Sequence, residues 1–357
     1  MIPTSKPFLP PLADYVGYLE GIWERTWLTN NGPLLQELEE RVASFLGARH
    51  VVITANGTLA LQLAMRALGA RGQVITTPFS FIATASAPAW EGAEVIMADV
   101  EAESLTLDPA AVEPLVTPTT SAIVATHVYG LPCDDDGLGD VARKHGLRVI
   151  YDAAHAFGAM YRGRSLCTLG DVSILSFHAT KLFHTVEGGA LVTDDDAVAE
   201  RARSLRNFGQ VTAEAFEEPG INAKLSEFHA AMGLVLLPRI PELIARRAEV
   251  AAVYDGELEG LALRRPGART GTTLNHAYYP LLLPDEATVL RLREALAMEN
   301  VQLRRYFHPS LGALPYVRSG PLPVADDAAR RIACLPLYSD LDPERARMIA
   351  LALRRVL

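Results

Sequence analysis

Cysteine is scarce in this chain. Only Cys133, Cys167 and Cys334 occur among its 357 residues, and they show no paired spacing. An odd number of dispersed cysteines excludes a disulfide framework and a cysteine-based zinc site. The sequence therefore predicts a protein of a reducing compartment, the cytoplasm.

Signals for secretion or membrane insertion are also missing. The first residues, MIPTSKPFLPPL, lack the basic and then apolar order of a signal peptide. We expect no apolar run that approaches the roughly 18 residues needed to span a membrane. With 49% hydrophobic and 21% charged residues, the composition is that of a globular protein. No membrane partner is predicted.

Positive charge is in deficit. Lys and Arg total 33 against 42 Asp and Glu, which gives a formal net charge of −9. A protein that neutralises many phosphates needs a basic face, so nucleic acid is not expected as a partner. A local basic pocket is still compatible with this balance.

Several common cofactor motifs are absent. The chain contains no G-x-G-x-x-G, no G-x-x-x-x-G-K-[ST], no H-E-x-x-H and no paired C-x-x-C. Dinucleotide, P-loop and zinc chemistry are therefore disfavoured, and we predict no metal site.

Short β-branched runs alternate with helical patterns up to about residue 240. The strand-like runs include HVVIT, QVITT, SAIVATHV, LRVIY and VSILSF, and the helical ones include TLALQLAMRAL and AVAERARSLR. This alternation indicates βαβ units and a mainly parallel sheet flanked by helices. The predicted fold class is α/β.

The pattern changes near residue 240. Pro238 and Pro241 interrupt a long helical stretch, and strand-like segments follow before a closing amphipathic helix, PERARMIALALRRVL. We therefore predict a large domain over residues 1–240 and a smaller C-terminal α+β domain over residues 241–357.

Polar residues follow three of the predicted strands. A parallel sheet binds its ligands at the carboxyl ends of the strands. The segments Asn56 to Thr58, Asp152 to His155 and Ser176 to Lys181 are therefore expected to share one crevice, although they are far apart in the sequence.

Gly57 and Thr58 stand at the start of a predicted helix. Free backbone N–H groups at such a start can hold a phosphate, and the missing side chain of Gly57 permits close approach. The alternative is a plain strand-to-helix turn that Asn56 or Thr58 caps.

Asp152 ends an apolar strand, where a buried carboxylate is costly unless it meets a cation or a strong donor. One use is to hold a protonated heterocyclic nitrogen, and the alternative is to cap the following turn. His155, three residues on, would ordinarily be a structural histidine.

Lys181 lies between a strand pattern and the glycine pair of EGGALVTDD. Near a crevice, its amine could bind a phosphate or, with a lowered pKa, attack a carbonyl as a nucleophile. Ser176 could donate its hydroxyl to the same anion. The alternative for Lys181 is a solvated loop residue.

The combination points to one cofactor. Pyridoxal phosphate needs a phosphate cup, a carboxylate at its ring nitrogen and a lysine for its aldehyde. Gly57 with Thr58, Asp152 and Lys181 would supply these three parts, all at predicted strand ends. The cofactor explains why the lysine stands there.

Segments throughout the chain resemble one family, the pyridoxal-phosphate-dependent nucleotide-sugar aminotransferases of the DegT/StrS type, which have the fold-type I architecture. The similar segments include ANGTLALQLAMRALG, TTPFSFIATASA, THVYGLPCD, YDAAHAFGA, SFHATK, EGGALVTDD, INAKLSEFHAAMGL and LPLYSDL.

The resemblance implies a role for each cofactor residue. Lys181 would hold the cofactor through its aldehyde and move protons in catalysis, and Asp152 would pair with the ring nitrogen. His155 would lie against the ring or its 3-oxygen, with Phe81 stacked on the other face. The phosphate would be bound by residues from both subunits of a homodimer: Gly57, Thr58 and Ser176 from one, and Asn222 from its partner.

The implied reaction is amino transfer from L-glutamate to a nucleotide-linked keto-deoxysugar, with dTDP-4-keto-6-deoxyglucose as the leading acceptor. The reading DAAH at 152–155, where many C3 enzymes read DAAQ, favours C4. The basic and aromatic residues expected at the nucleotide-sugar mouth are Lys224, Arg304, Arg305, Tyr306, Phe307 and His308. For Arg304 and Arg305 an exposed strand edge is the alternative.

Other functions stay open at this point. They are a C3 aminotransferase for a dTDP-3-keto-6-deoxyhexose, a sugar dehydratase, another fold-type I enzyme such as a cysteine desulfurase, and a non-catalytic regulator. Lys181 opposes the dehydratase, since the resembling dehydratases carry histidine there. His184 and Val186, in HTVEGG, replace smaller residues of the family and leave the shape of the sugar pocket in question.

Overall fold

The computed structural model describes residues 1–357. Its helices are α1 (Leu12–Arg25), α2 (Pro33–Leu46), α3 (Gly57–Leu68), α4 (Ala83–Trp90), α5 (Pro109–Val112), α6 (Asp135–His145), α7 (Asp196–Arg206), α8 (Glu227–Leu236), α9 (Ile240–Glu257), α10 (Glu286–Met298), α11 (Pro323–Arg331) and α12 (Pro343–Val356).

The strands are β1 (His50–Thr54), β2 (Gln73–Thr76), β3 (Glu94–Met97), β4 (Thr120–Thr126), β5 (Arg148–Asp152), β6 (Met160–Tyr161), β7 (Arg164–Ser165), β8 (Val172–Ser176), β9 (Gly189–Thr193), β10 (Gln210–Thr212), β11 (Ala215–Phe216), β12 (Thr272–Thr273), β13 (Tyr279–Leu282), β14 (Arg318–Ser319) and β15 (Ile332–Leu335).

Eight of these strands form the main sheet, in the order β1-β9-β8-β5-β4-β2-β3-β14. All neighbours are parallel except β9, which runs antiparallel to both β1 and β8. Residues 177–188, between β8 and β9, contain no helix that could carry a parallel crossover. The predicted α/β class with a mainly parallel sheet is confirmed, with this one reversed strand.

Alternate residues of the strands pack on opposite faces of the sheet. In β5, Val149 and Tyr151 join the core beneath α2, α6 and α8, whereas Ile150 joins the core beneath α3 and α7. Both faces are therefore apolar, which explains why the strands read as continuous hydrophobic runs.

A separate core is built from α9, α10, α12, β13 and β15. The N-terminal residue Ile2 forms a bridge with Val301, beside this core. β14, although it comes after residue 240, joins the main sheet next to β3. The division of the chain at residue 240 stays a prediction.

One helical stretch contradicts the expectation that no apolar run is long enough to span a membrane. Residues Glu227–Glu257, which comprise α8, a short 3-10 helix and α9, are long and apolar enough to cross a membrane, with a mean hydropathy of 1.3 in their most apolar window. This window is 56% buried in the protein. It packs through α8 on α1 and α2 and through α9 on α12, as a core helix does.

Candidate active site

The carboxyl ends of β1 and β8 meet at one edge of the main sheet, because β9 lies between them. Gly189, the first residue of β9, pairs with Thr54 on one side and with Ser176 on the other. A Cβ atom at Gly57 would lie 3.1 Å from the Cβ atom of Ser176. The structure therefore brings Gly57 and Ser176 together, as the sequence predicts.

A helix start faces this junction. The side chain of Asn56 caps α3 by accepting a 2.9 Å hydrogen bond from the backbone N–H of Leu59. The N–H groups of Gly57 and Thr58, in the first turn, have no preceding helical carbonyl to bond. Together with the Ser176 hydroxyl, they offer donors to an anion.

Asp152 ends β5 and is 6% exposed. Its Oδ2 accepts a 2.7 Å hydrogen bond from the Thr84 hydroxyl, and its Oδ1 accepts a 3.1 Å bond from the N–H of Ala154. No basic side chain lies within ion-pair distance of Asp152. Asp152 is thus a buried carboxylate that no cationic side chain of this chain contacts.

Lys181 is one of four lysines in the chain. Lys6 and Lys144 are exposed and paired with Asp340 and Glu113. Lys181 is partly buried, has no carboxylate within ion-pair distance, and lines a narrow cavity with His155, Ser176 and Tyr278. It is the lysine that the fold directs into the crevice.

The charges of the crevice act on one another. Burial raises the pKa of the Asp152 carboxyl, while Thr84, the N–H of Ala154 and the charge of Lys181 act against that rise. Burial lowers the pKa of the Lys181 amine below its ordinary value, and the charges of Asp152 and Tyr306 oppose this change. The amine is therefore more readily deprotonated than that of a surface lysine.

His155 is 5% exposed and held on one nitrogen. Its Nδ1 accepts a 3.2 Å hydrogen bond from the backbone N–H of Tyr129. Burial, followed by the positive charge of Lys181, holds the pKa of His155 well below its usual value. His155 is thus neutral near pH 7 and carries its proton on Nε2.

A second cavity, of about 620 Å³, adjoins this crevice. The predicted mouth residues Arg304, Tyr306, Phe307 and His308 line it, and so does Phe81, whose side chain is largely exposed. The two cavities adjoin, because the ring centroids of Phe307 and His155 lie 5.7 Å apart and those of Tyr306 and Tyr278 lie 5.6 Å apart. Arg305 lines the second cavity too, so five of the six predicted mouth residues lie in one place, and Lys224 is the exception.

Arg305 differs from Arg304 in its contacts. Its Nη2 donates to Glu286 at 2.7 Å and to the carbonyl of Arg330 at 2.8 Å. Arg304 is exposed, and its side chain makes no ion pair. Of the two, Arg304 is free to meet a ligand, and Arg305 ties the segment after α10 to α10 and to the end of α11.

Lys224 and Asn222 lie apart from these two cavities. Lys224 donates a 2.9 Å hydrogen bond to Oδ1 of Asn207 and lies 4.6 Å from the ring centroid of Phe208, in an open groove of about 1160 Å³. Asn222 is exposed, and the next residue, Ala223, accepts a hydrogen bond from the N–H of Ala55. Within one subunit Lys224 does not join the predicted mouth residues.

The loop HTVEGG, which departs from the family pattern, is bonded to the N-terminal segment of the chain through His184. The ring of His184 is buried, with Nε2 bonded at 2.9 Å to the carbonyl of Phe8 and Nδ1 accepting from the N–H of Val186. Val186 is exposed and has a φ of 70°, which a β-branched residue rarely adopts. His184 therefore anchors the loop and does not narrow the cavities.

Sequence reasoning missed several residues of the crevice. Thr84 bonds Asp152, Ser80 bonds Thr84, and the side-chain amide of Asn275 donates to the carbonyls of His155 and Phe157. The Tyr278 ring packs edge-on against His155 at 4.8 Å. The hydroxyl residues of FSFIAT, which follow β2, could have been predicted to lie near the crevice. Asn275 and Tyr278 could not, because the local sequence does not show that their loop returns to the sheet.

The residues present fit pyridoxal phosphate. The cradle at Gly57, which a Cβ atom would fill, and the free N–H groups of α3 suit a phosphate. The buried Asp152 suits a protonated ring nitrogen, and the unpaired Lys181 amine suits an aldehyde. The fold and this site define a pyridoxal-phosphate-dependent transferase of fold-type I.

Comparison with known proteins specifies the class further. Residues 13–354 match the model of the DegT/DnrJ/EryC1/StrS aminotransferase family, and the chain belongs to that family. The chain is 38% identical to the dTDP-4-amino-4,6-dideoxy-D-glucose transaminase of Escherichia coli, over 96% of this chain and 95% of the relative.

Solved structures agree with this assignment. DesI, crystallised in the presence of its TDP-sugar product, superimposes with a TM-score of 0.94 at 39% identity, over 99% of this chain and 92% of DesI. DesV of S. venezuelae, in complex with a ketimine intermediate, gives a TM-score of 0.89 at 30% identity, over 96% of this chain and 94% of DesV. This protein is an aminotransferase, and its cofactor is pyridoxal phosphate.

Proposed function

We propose that this enzyme transfers an amino group from L-glutamate to C4 of dTDP-4-keto-6-deoxyglucose and so forms dTDP-4-amino-4,6-dideoxyglucose. The name of the Escherichia coli relative, at 38% identity along nearly the whole chain, supports this acceptor. The observation that carries the proposal is the narrow cavity lined by His155 and Lys181, which lies beside the 620 Å³ cavity. The buried Asp152 ends β5, the strand next to β8.

Within this proposal, each crevice residue has a task. When bound, the cofactor supplies a ring that withdraws electrons from the carbon next to the reacting nitrogen. The Asp152 carboxylate keeps a proton on the ring nitrogen, and Nε2–H of His155 donates to the ring's 3-oxygen. Phe81 covers the opposite face. Gly57, Thr58 and Ser176 bind the phosphate.

Lys181 acts twice, first by holding the aldehyde and then by moving protons. Because its pKa is lowered by burial, a larger fraction of the amine is neutral than in a surface lysine. The neutral amine can accept the proton that the substrate carbon releases. Once protonated, it can return that proton on the other side of the transferring nitrogen.

The 620 Å³ cavity is the place for the nucleotide sugar. Arg304 brings an unpaired guanidinium for the diphosphate, and Tyr306, Phe307 and His308 line the same wall. The cavity is lined by residues 80–82 from the first part of the chain and by Arg293, residues 303–311, Ala313 and Leu314 from the second. Its position supports the division into domains at residues 1–240 and 241–357, with the substrate between them.

We further propose a cytoplasmic homodimer with shared sites. The groove that contains Asn207, Phe208 and Lys224 is open, and Phe208, Phe216 and Ile221 expose apolar surface beside it. In a dimer, this face would bring Asn222 and Lys224 to the phosphate and the substrate of the partner subunit.

A spectral and product assay tests the reaction. The absorbance of the holoenzyme should shift when L-glutamate is added and return when dTDP-4-keto-6-deoxyglucose follows, and NMR should show the new amine at C4. A matched reaction with a 3-keto-6-deoxyhexose should be at least about tenfold slower. Amination at C3, or a spectrum unchanged by glutamate, would refute the proposal.

The role of Lys181 has a matched control in the same chain. Lys181→Ala should lower kcat by several orders of magnitude while the folded structure persists, and Lys144→Ala should behave like the wild type because Lys144 is exposed. Wild-type turnover by Lys181→Ala would show that the catalytic assignment is wrong.

A further inference from the structure

Three hydroxyl groups extend from Asp152 into the protein interior. The Thr84 hydroxyl lies 2.7 Å from Oδ2 of Asp152, Ser80 Oγ lies 2.8 Å from Thr84 Oγ1, and Thr126 Oγ1 lies 2.9 Å from Ser80 Oγ. Thr84, Ser80 and Thr126 are at most 2% exposed. We call these three residues the hydroxyl chain.

The sheet explains how the hydroxyl chain forms. Thr126 and Asp152 are paired at the ends of the adjacent parallel strands β4 and β5. β2 lies on the other side of β4. Ser80 lies in the segment between β2 and α4, and Thr84 lies in the first turn of α4. Three consecutive strand ends thus contribute to one row of polar atoms behind the carboxylate.

The hydrogen bonds of the hydroxyl chain have one direction. An ionised carboxylate only accepts, so Thr84 must donate to Asp152. Thr84 then accepts from Ser80, and Ser80 accepts from Thr126. Every hydroxyl proton in the row has an acceptor in this arrangement.

The reverse direction fails at its far end. If Asp152 were protonated and donated to Thr84, each hydroxyl would turn around and Thr126 would have to donate elsewhere. Ser80 is the only hydrogen-bond partner of the Thr126 hydroxyl, so this proton would be buried without an acceptor. Such a group costs about 1–3 kcal/mol. The hydroxyl chain therefore favours the ionised carboxylate.

We propose that Thr84, Ser80 and Thr126 are positioning residues that hold Asp152 ionised and oriented toward the ring nitrogen of the cofactor. Ser80 and Thr126 act on Asp152 through Thr84, although Ser80 also lines the 620 Å³ cavity. Successive hydrogen bonds polarise one another, so removing a distant member weakens the bond at Asp152. The proposal rests on the assignment of Asp152 as the partner of that nitrogen.

The charged surroundings of Asp152 define what must be held constant in a test. Lys181 is the charged group whose field reaches Asp152, and it lowers the pKa of the carboxyl. His155 and His127 lie on the neighbouring segments and are neutral, because burial holds both of their pKa values far below the ordinary range. None of these groups is altered by changes in the hydroxyl chain.

The experiment compares four variants of the full chain: Thr84→Val, which removes the hydroxyl but keeps the shape, Thr84→Ser, which keeps the hydroxyl, Ser80→Ala, and the double variant Thr84→Val/Ser80→Ala. The pKa of Asp152 is measured by carbon-13 NMR of the cofactor-free protein, with Asp152→Asn to assign the signal. The dissociation constant of pyridoxal phosphate is measured by fluorescence titration.

Thr84→Val should raise the pKa of Asp152 by about one unit and weaken cofactor binding about tenfold, which is the loss of one hydrogen bond to a charged group. Ser80→Ala should raise the pKa by about half a unit and weaken cofactor binding about threefold, and Thr84→Ser should stay within about 0.3 unit and twofold of the wild type. In the double variant, Ser80→Ala should add nothing to Thr84→Val.

Two results would overturn the proposal: an unchanged pKa and dissociation constant in both Thr84→Val and Ser80→Ala, or fully additive effects in the double variant. A merely structural role would lower the unfolding temperature without moving the pKa. If Thr84→Val does not fold, Ser80→Ala alone decides. Because the pKa is measured without cofactor or substrate, failure of the proposed reaction leaves this test intact.

Discussion

A Cβ atom at Gly57 would lie 3.1 Å from both the carbonyl oxygen of Leu175 and the Cβ atom of Ser176. The first turn of α3 and the end of β8 therefore approach as closely as a glycine permits. The cup for the cofactor phosphate lies at this contact.

Gly57→Ala should separate the two elements. Overpacking of this kind costs about 1–3 kcal/mol, and the shifted N–H groups of α3 should weaken cofactor binding about tenfold. The control is Gly17→Ala, since Gly17 is exposed in α1 and an added Cβ meets nothing within 4 Å. Titration of the cofactor-free protein with pyridoxal phosphate checks both, and equal affinities would contradict the assigned cup.

The lowered pKa of Lys181 predicts early reaction with amine reagents. Only the neutral amine reacts, so the labelling of Lys181 in the cofactor-free protein should rise with pH at a midpoint below 10.5. Lys6 is an internal reference, because Asp340 raises its pKa above that value. Asp152→Asn should shift the midpoint of Lys181 further down, since the Asp152 charge opposes the effect of burial.

Mass spectrometry of labelled peptides across a pH series gives both midpoints from one sample. If Lys181 reacts no earlier than Lys6, or if Asp152→Asn shifts its midpoint upward, the electrostatic description of the crevice is wrong.

Arg304 and Arg305 are neighbours with opposite predicted effects. Arg304→Ala should raise the KM for the nucleotide sugar about tenfold and leave the free energy of unfolding within about 0.5 kcal/mol of the wild type, as for an exposed residue. Arg305→Ala removes a guanidinium that bonds Glu286 and the carbonyl of Arg330, so it should destabilise the fold by about 1–3 kcal/mol. Kinetics and urea unfolding of both variants check the pair, and a reversed pattern would contradict the cavity assignment.

His127 predicts a loss of stability in acid. Burial lowers the pKa of its ring to about 3, against 6.5 for an exposed histidine. Between these values the unfolded chain binds a proton that the folded protein does not, so stability falls as the pH decreases from about 6.5 toward 3. Between pH 7 and pH 5 the loss from this residue is about 2 kcal/mol.

His127→Asn keeps an acceptor for the N–H of Cys133, which bonds Nδ1 of the ring, and removes the titrating group. The variant should lose about 2 kcal/mol less than the wild type over this pH range, whatever its absolute stability. Identical pH dependence of urea unfolding in the two proteins would contradict the buried neutral ring.

Sequence periodicity predicts the main sheet well because its strands are buried on both faces, as Ile150 and Tyr151 illustrate. The reversal of β9 is not visible in its apolar run, GALVT, since a buried strand reads alike in either direction. The residues Asp152, Lys181 and Gly57 were predictable because each lies at the carboxyl end of a strand or within five residues after it. Thr126 also ends a strand, but its role depends on Ser80 and Asp152, which only the folded sheet brings beside it.

The other differences between prediction and structure arise from contacts between residues that are far apart in the sequence. Arg304 and Arg305 cannot be told apart by their position in the sequence, and only the packing of α10 and α11 shows which is bound. Lys224 is a local neighbour of Asn207 and Phe208 in one subunit, so its predicted contact with substrate depends on a second copy of the chain.

The central claim is that the crevice holds Asp152 and Lys181 at opposite ends of one cofactor ring. Borohydride reduction of the holoenzyme, followed by peptide mapping, tests it most directly, since the chain offers only four lysines. We expect the reduced cofactor to be attached to Lys181 in the wild type, and Asp152→Asn to bind the cofactor much more weakly. Attachment to Lys6, Lys144 or Lys224 would show that Lys181 is not the residue that holds the cofactor.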